Sequence, residues 1–506
     1  MPKYNRFKKD TAERSAFEKE NRGKTASGQK TPKKGMRPQE APGKERSGAS
    51  EKGMYGKENK RQDIRKRPMP GHERMEEKHS MEEKHSMEEK HSMEEKHSME
   101  EKHSIEEKHS IEEKHSIEKK YFGERGAKHN LCPVASKCGG CQWINKGYEE
   151  QLEMKSMKFR RLMEPYCRPE PIIPMDSPKH YRNKVHAVFG EDRKHNAISG
   201  IYEEKSHRIV PVDRCLIENR KADEIIVSIR ELLKSFKIRP YDEDTGRGLL
   251  RHVLVRVGYA TGQIMVVLVL GYPVMPSKNN FVKALLKLHP EITTMVINVN
   301  DKDTSMILGE REQVIYGKGY IEDELCGMTF RISPKSFYQV NPVQTGKLYG
   351  KAMEYAGLTG KETVLDAYCG TGTIGMIASR QAGRALGVEL NKDAVRDAVS
   401  NAKRNGISNI RFYQADAGEF LLELAAAGEK LDVLFMDPPR SGSSEAFLNA
   451  AAKIEPKRIV YISCNPDTLA EDLRILKKKG YKVEKCVAVD MFPYTDAIEA
   501  VVALSL

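Results

Sequence analysis

Residues 362–375 read Glu-Thr-Val-Leu-Asp-Ala-Tyr-Cys-Gly-Thr-Gly-Thr-Ile-Gly, a short apolar run, a glycine-rich turn and the start of a helical pattern. The same alternation of apolar run and helix returns downstream, so this half of the chain predicts an α/β fold with a parallel sheet. The next run ends Gly387-Val388-Glu389, about 20 residues on, where a carboxylate can accept hydrogen bonds from ribose hydroxyls. A third ends Phe412-Tyr-Gln-Ala-Asp416, and a fourth, Leu431–Asp437, runs into Pro438-Pro-Arg-Ser-Gly442. Ligands of open α/β sheets bind outside the carboxyl ends of the strands, so these acids share one rim.

Dinucleotide binding is the main competitor for such a rim. It expects two βαβαβ halves, whereas here acids at three successive strand ends are followed by Asp-Pro-Pro. Singly, Asp366, Glu389 and Asp416 are as well explained as turn or cap residues. Jointly they favour an S-adenosylmethionine-dependent methyltransferase. Arg458–Ser463 reads as a buried strand delivering Cys464-Asn-Pro466 to the same crevice, where a thiol can act as a nucleophile. Cys369, inside the glycine loop, reads as packing. Glu499 opens the apolar strand Ala500–Leu506, where a carboxylate is costly unless paired or used.

Cys132-x5-Cys138-Gly-Gly-Cys141 brings three thiols together, and Cys215 is a candidate fourth, with Cys167 in competition. Such a set suits a zinc or a [4Fe–4S] site, and spacing alone leaves both open, along with buried unligated cysteines. The only tryptophan, Trp143, follows the set and could shield it.

These features together resemble the RNA uracil-5-methyltransferase family, class I S-adenosylmethionine-dependent enzymes that modify uridines in ribosomal and transfer RNA. The likeness spans about residues 130 to 506. It rests on the cysteine motif with Gln142-Trp143, Tyr181-Arg-Asn-Lys184, Gly248-Leu-Leu-Arg-His252, Ser336-Phe-Tyr-Gln-Val-Asn341, Asp366-Ala-Tyr-Cys-Gly370, Asp437-Pro-Pro-Arg-Ser-Gly442 and Ser463-Cys-Asn-Pro466. The resemblance implies cofactor contacts at Gln339, Tyr368, Thr373, Glu389, Asp416 and Asp437. It implies Cys464 as nucleophile, Glu499 as proton acceptor, and Cys132, Cys138, Cys141 and Cys215 as [4Fe–4S] ligands. Among the branches it points to the cluster-bearing 23S ribosomal RNA enzymes, and so to RNA as partner. Two departures stand out: Tyr494 and Ala497 occupy positions near Glu499 where relatives often carry histidine, and the small N-terminal RNA-binding β-barrel (TRAM) of many cluster-bearing members is expected to be absent.

The net charge of +13 is unevenly placed. Residues 1–70 carry +12 and 71–120 carry −6, leaving +7 for the rest. The first block lacks the apolar residues needed to offset chain entropy. From Met75 a hexapeptide, Met/Ile-Glu-Glu-Lys-His-Ser, repeats to Ile117. Its apolar residue advances about 240° per repeat around a helix, so no apolar stripe forms and a solvated spacer is expected. The expected organisation is a basic disordered tail (1–72), a repeat spacer (73–120), a Cys-rich iron–sulfur segment (121–170), a mixed α/β RNA-binding domain (171–330) and a class I, Rossmann-like methyltransferase domain (331–506). Within the central domain, Arg251–Gly258 and Gln263–Gly271 read as a β-hairpin, and Arg182, Lys184 and Arg251 are candidate phosphate contacts or, equally, plain surface charges. The longest apolar run, Ile264–Leu270, is far short of the ~20 residues of a membrane helix. Nine dilute cysteines and no apolar leader point to a reduced, cytoplasmic protein. We expect a monomer with no membrane partner.

Overall fold

The computed structural model describes residues 131–204 and 206–506. The expected tail, the repeat and residues 121–130 lie outside the described residues.

A helix, α1 (Tyr148–Met163), follows the Cys-rich segment. A first sheet is then built from β1 (Lys184–Glu191), β2 (Ala197–Tyr202), β3 (Ile209–Pro211), β4 (Leu250–Val257), β5 (Ile264–Leu270), β6 (Ile292–Val299) and β7 (Arg311–Tyr316). Its order is β3-β2-β1-β4-β5-β6-β7, and only the β5–β6 pair is parallel. Helices α2 (Arg220–Ser235) and α3 (Lys278–Leu288) complete this part, with α3 as the crossover between the parallel pair. The expected hairpin is present as β4 and β5, paired antiparallel from Leu250–Leu270 to Val257–Ile264.

All seven residues of β5 are buried because both of its faces are covered. Side chains alternate across a strand. Ile264, Val266, Leu268 and Leu270 accordingly pack in one core with residues of α2 and α3, while Met265, Val267 and Val269 join a second core. That second core includes Ile321, Leu325, Met328, Phe330 and Ile332, from a two-stranded hairpin of β8 (Ile321–Leu325) and β9 (Met328–Ile332). Buried Asp323 of this hairpin accepts hydrogen bonds from the backbone N–H groups of Tyr259 and Ala260, at 3.0 and 2.9 Å, so it also fixes the β4–β5 turn.

Helix α4 (Pro342–Ala356) starts with an Asn341 cap and a proline in its first turn, which needs no N–H there. The second sheet comprises β10 (Thr363–Ala367), β11 (Arg384–Glu389), β12 (Ile410–Gln414), β13 (Val433–Met436), β14 (Arg458–Ser463), β15 (Lys482–Val489) and β16 (Glu499–Ser505). Its order is β12-β11-β10-β13-β14-β16-β15. The first five of these strands run parallel, and β16 enters antiparallel between β14 and β15. The intervening helices are α5 (Thr373–Ser379), α6 (Lys392–Arg404), α7 (Ala417–Ala426), α8 (Glu445–Ile454) and α9 (Pro466–Lys478). The central strands are near-continuous apolar runs, as a sheet covered on both faces requires. Strand order reverses beside β10, which opens a crevice at the carboxyl ends. Among the described residues, no helix is long and apolar enough to cross a membrane.

Arg251 corrects one expectation. It is 5% exposed and donates to the carbonyls of Asn300 and Lys302, both at 2.9 Å, and to Glu243 Oε1 at 3.0 Å. Two of these bonds clamp the loop after β6 and the third holds Glu243, so the guanidinium is turned inward, away from solvent. Arg251→Ala should therefore lower unfolding free energy in urea by roughly 2–4 kcal/mol, through the lost bonds to two buried-loop carbonyls and to Glu243. The salt dependence of RNA binding should stay the same; weaker binding without loss of stability would return Arg251 to the phosphate contacts.

Candidate active site

A cavity of about 720 Å3 opens at the carboxyl ends of the second sheet. Seven of the eight residues predicted for chemistry and cofactor line it: Gln339, Tyr368, Thr373, Glu389, Asp437, Cys464 and Glu499. The eighth, Asp416, does not. Its carboxylate caps α7, accepting the N–H groups of Gly418 and Glu419 at 2.9 and 3.0 Å.

The loop after β10 is shaped by left-handed backbone at Tyr368 (φ 65°), Gly370 (φ 54°) and Gly372 (φ 84°). Gly372 also has no room for a side chain, because a Cβ there would stand 2.7 Å from the Phe412 ring. Asp366 is buried beneath the loop and accepts the Gly375 N–H at 2.7 Å. Burial pushes its carboxyl up to about 8, against that hydrogen bond. Glu389, at the end of β11, accepts the N–H groups of Gly370 (3.1 Å) and Asn391 (2.8 Å) while facing the cavity. A carboxylate held this way ties two successive strand ends together and keeps one fixed orientation toward a ligand.

Cys464 and Glu499 meet through strand pairing. In the antiparallel β14–β16 ladder Ser463 lies opposite Ala500, so the next step outward brings Cys464 beside Glu499. The turn carrying Cys464 is pinned to the Asp437-Pro-Pro-Arg440 loop by Asn465 Nδ2 and Thr468 Oγ1, which donate to the Arg440 carbonyl at 3.0 and 3.3 Å. Asn465 also caps α9, followed by Pro466 in the first turn.

Electrostatically the cavity is crowded with acids. Burial, then the charges of Glu499 and Asp437, push the Cys464 thiol up to about 11, and Arg440 acts in the opposite direction. Glu499, 4% exposed, is pushed well above the usual carboxylate range by burial and by Asp437, again opposed by Arg440. Burial alone raises Asp437 to about 7. A cation entering this cavity would relieve all three groups.

Several lining residues were not singled out from sequence. Phe337, 70% exposed, stands beside Gln339 in a motif already quoted, so its neighbourhood was visible but its orientation was not. Tyr349 lies inside α4 and reads as core; its hydroxyl bonds Gln339 and faces Asp437. Gly140 and Gln142 of the Cys-rich segment, together with Arg182, complete one wall.

The four predicted ligand cysteines, Cys132, Cys138, Cys141 and Cys215, line a second cavity of about 390 Å3. Gly140 and Arg182 border both cavities. Among the described residues, no three His, Cys, Asp or Glu side chains converge closely enough to hold a metal ion. Burial and the neighbouring thiols raise Cys141 to about 12, and burial raises Cys138 and Cys215 as well. The Gly140 N–H donates to Cys138 Sγ at 3.4 Å. Cys167 is not part of this set, since its sulfur lies 2.6 Å from that of Cys486 in β15.

The profile of the tRNA (uracil-5-)-methyltransferase family matches residues 147–506. The chain belongs to this family. An uncharacterized RNA methyltransferase of Halalkalibacterium halodurans is 43% identical over 380 residues, covering 74% of this chain and 83% of that protein. One from Caldanaerobacter subterraneus is 43% identical over 375 residues, 73% of this chain and 83% of its own length. Among solved structures, the Pyrococcus abyssi tRNA (uracil-54, C5)-methyltransferase in complex with S-adenosyl-L-homocysteine aligns with TM-score 0.62 and 28% identity, covering 72% of this chain and 86% of that one. The fold is thus that of an S-adenosylmethionine-dependent RNA methyltransferase of the uracil-5 family.

The crowded acids generate a measurable expectation for the thiol. Alkylation of Cys464 by iodoacetamide, followed by mass spectrometry of its peptide, should rise with pH through about 11 in the free protein. The cationic sulfonium of S-adenosylmethionine should shift that profile to lower pH, and neutral-sulfur S-adenosylhomocysteine should not. An identical profile with both ligands would separate the thiol from the methyl-donor site.

Proposed function

We propose that this chain transfers a methyl group from S-adenosylmethionine to C5 of a uridine in 23S ribosomal RNA, acting in the cytoplasm as a monomer. The observation that carries the reaction is the presence of Cys464 and Glu499 in one cavity with the glycine-loop residues. C5 of uracil is a weak nucleophile. Addition of the Cys464 thiolate to C6 forms a C–S bond and sends the π electrons to O4, leaving an enolate whose C5 can attack the sulfonium methyl. Glu499, ionised, then takes the C5 proton, and the C6–S bond breaks to release Cys464 and the methylated base. A carboxylate whose environment raises its proton affinity is a stronger base once it has ionised, which suits Glu499 to this step. Gln339, Tyr368, Thr373, Glu389 and Asp437 are assigned to the methyl donor. Asp416 keeps a part in this only as the cap beside Tyr368. The uridine must leave its stack to reach the cavity, and exposed Phe337 is suited to receive its face.

The Cys-rich segment supports the choice of 23S rRNA, because it distinguishes the branch that the motifs resemble. In this reading Cys132, Cys138, Cys141 and Cys215 hold a [4Fe–4S] cluster. The fit rests on four thiols lining one cavity, a backbone N–H donor to one sulfur, and thiols whose mutual crowding a bound cation would relieve. When bound, the cluster would cross-link the segment to the first sheet through Cys215. Transfer RNA is the second reading, favoured by the substrate of the Pyrococcus abyssi neighbour.

RNA containing 5-fluorouridine tests the chemistry. The enzyme should form a denaturant-stable adduct that vanishes in Cys464→Ala, while Glu499→Gln should accumulate adduct on ordinary RNA. An adduct surviving Cys464→Ala would refute the assigned nucleophile. Mapping 5-methyluridine in ribosomal and transfer RNA from cells with and without the gene decides between the two substrates.

Protein purified anaerobically should contain about four iron and four sulfide per chain and lose them in Cys215→Ser. Stoichiometric zinc without sulfide would overturn the cluster reading.

A further inference from the structure

Glu499 is reached through residues 490–498, the strap that joins β15 to β16. Phe492, Thr495, Asp496 and Ala497 of this strap line the active-site cavity beside Glu499. Its first turn is held by an ion pair that is completely buried. Lys155 of α1 and Asp490 both have side chains with 0% exposure, with Nζ 2.6 Å from Oδ1. The same ammonium donates to the Phe492 carbonyl at 3.1 Å. The second carboxylate oxygen of Asp490 accepts the Tyr148 hydroxyl at 2.7 Å.

The middle of the strap is held from the same direction. Tyr494 has left-handed backbone (φ 68°), which a bulky residue adopts only where its surroundings dictate it. Its N–H donates to Gln151 Oε1 at 2.8 Å, and its carbonyl accepts the Trp143 N–H at 3.0 Å. Gln151 in turn donates to the Lys146 carbonyl at 2.9 Å, so one face of α1 secures both the strap and the Cys-rich segment.

Removing an ammonium and a carboxylate from water is costly, and apolar side chains of similar volume would often fill such a site with no loss of stability. What the ions add is a fixed distance and direction between α1 and two successive turns of the strap. We propose that the Lys155–Asp490 pair is the positioning device of the C5-deprotonation step, setting the strap and thereby the orientation of Glu499 over the methylated base. This rests on the reading of Cys464 as nucleophile and Glu499 as base. Cys464 is carried by β14 and the Arg440 loop, which have none of these bonds, so addition to C6 and methyl transfer should not need the pair.

Two measurements on the full-length protein separate the steps. Trapping on RNA with 5-fluorouridine at the mapped target reports addition and methyl transfer, since no C5 proton can leave. Turnover on the ordinary RNA reports the whole cycle. In Lys155→Met, trapping should stay within about twofold, while turnover should fall on the order of 100-fold, the size expected for small misplacements of a reacting group. A methylated, denaturant-stable adduct should then accumulate on ordinary RNA, as in Glu499→Gln, and Lys155→Arg should restore much of the turnover. Equal loss of trapping and turnover, or unchanged turnover, would overturn the proposal. If Lys155→Met does not fold, Asp490→Asn, which keeps the shape and removes the charge, is read by the same two outcomes. Absence of trapping in the unsubstituted enzyme would instead overturn the reading of Cys464.

Discussion

The antiparallel pairing of β14 with β16 is the constraint on which the site depends. A parallel sheet alone delivers only strand ends to its crevice, and a strand start lies on the opposite edge. By running the other way, β16 begins where β14 finishes, so its first residue, Glu499, is placed beside the residue that follows β14, Cys464. The spacing between thiol and carboxylate is thus held by a hydrogen-bond ladder of six register pairs. Precision at the reacting centre comes from backbone pairing, which side-chain packing then supports.

The same closeness sets the resting charge of the pocket. Cys464, Glu499 and Asp437 each hold protons more tightly than their free counterparts, because each is partly or wholly removed from water and the first two also feel an acidic neighbour. Arg440 at the rim opposes the shift of both Cys464 and Glu499. Anything positive that enters the pocket favours the ionised form of all three. A thiol kept protonated is slow to react with stray electrophiles; on the mechanism proposed above, its reactivity would be tied to the arrival of a cationic methyl donor.

Much of the methyltransferase half was legible in the chain, because a buried parallel sheet leaves its own local record. Apolar runs ended at Asp366, Glu389, Asp437 and Cys464, and the crevice gathered all but Asp366 into its lining. The β4–β5 hairpin, an antiparallel pair, was legible from two apolar runs lying close together in the chain. Asp416 shows the limit: an acid at a strand end that opens a helix serves equally as ligand contact or cap, and only geometry separates them. Arg251 shows another, since a charged residue in an alternating run looks exposed until the loop that covers it is in place. Lys155 and Tyr349 were illegible because their partners are distant in sequence and their helices present them as ordinary amphipathic positions.

The insertion of β16 has a consequence for how the protein is made. Every other strand of the sheet precedes it in the chain, yet it occupies an interior place between β14 and β15. While the chain is still emerging from the ribosome, β14 has an open edge and β15 has no partner in the sheet. The pocket cannot close, and Cys464 cannot meet Glu499, until that strand has been synthesised and threaded into the gap. A nascent chain interrupted earlier would carry the glycine loop and Cys464 without Glu499; on the mechanism proposed above, synthesis itself would separate the capacity to attack a base from the capacity to let it go.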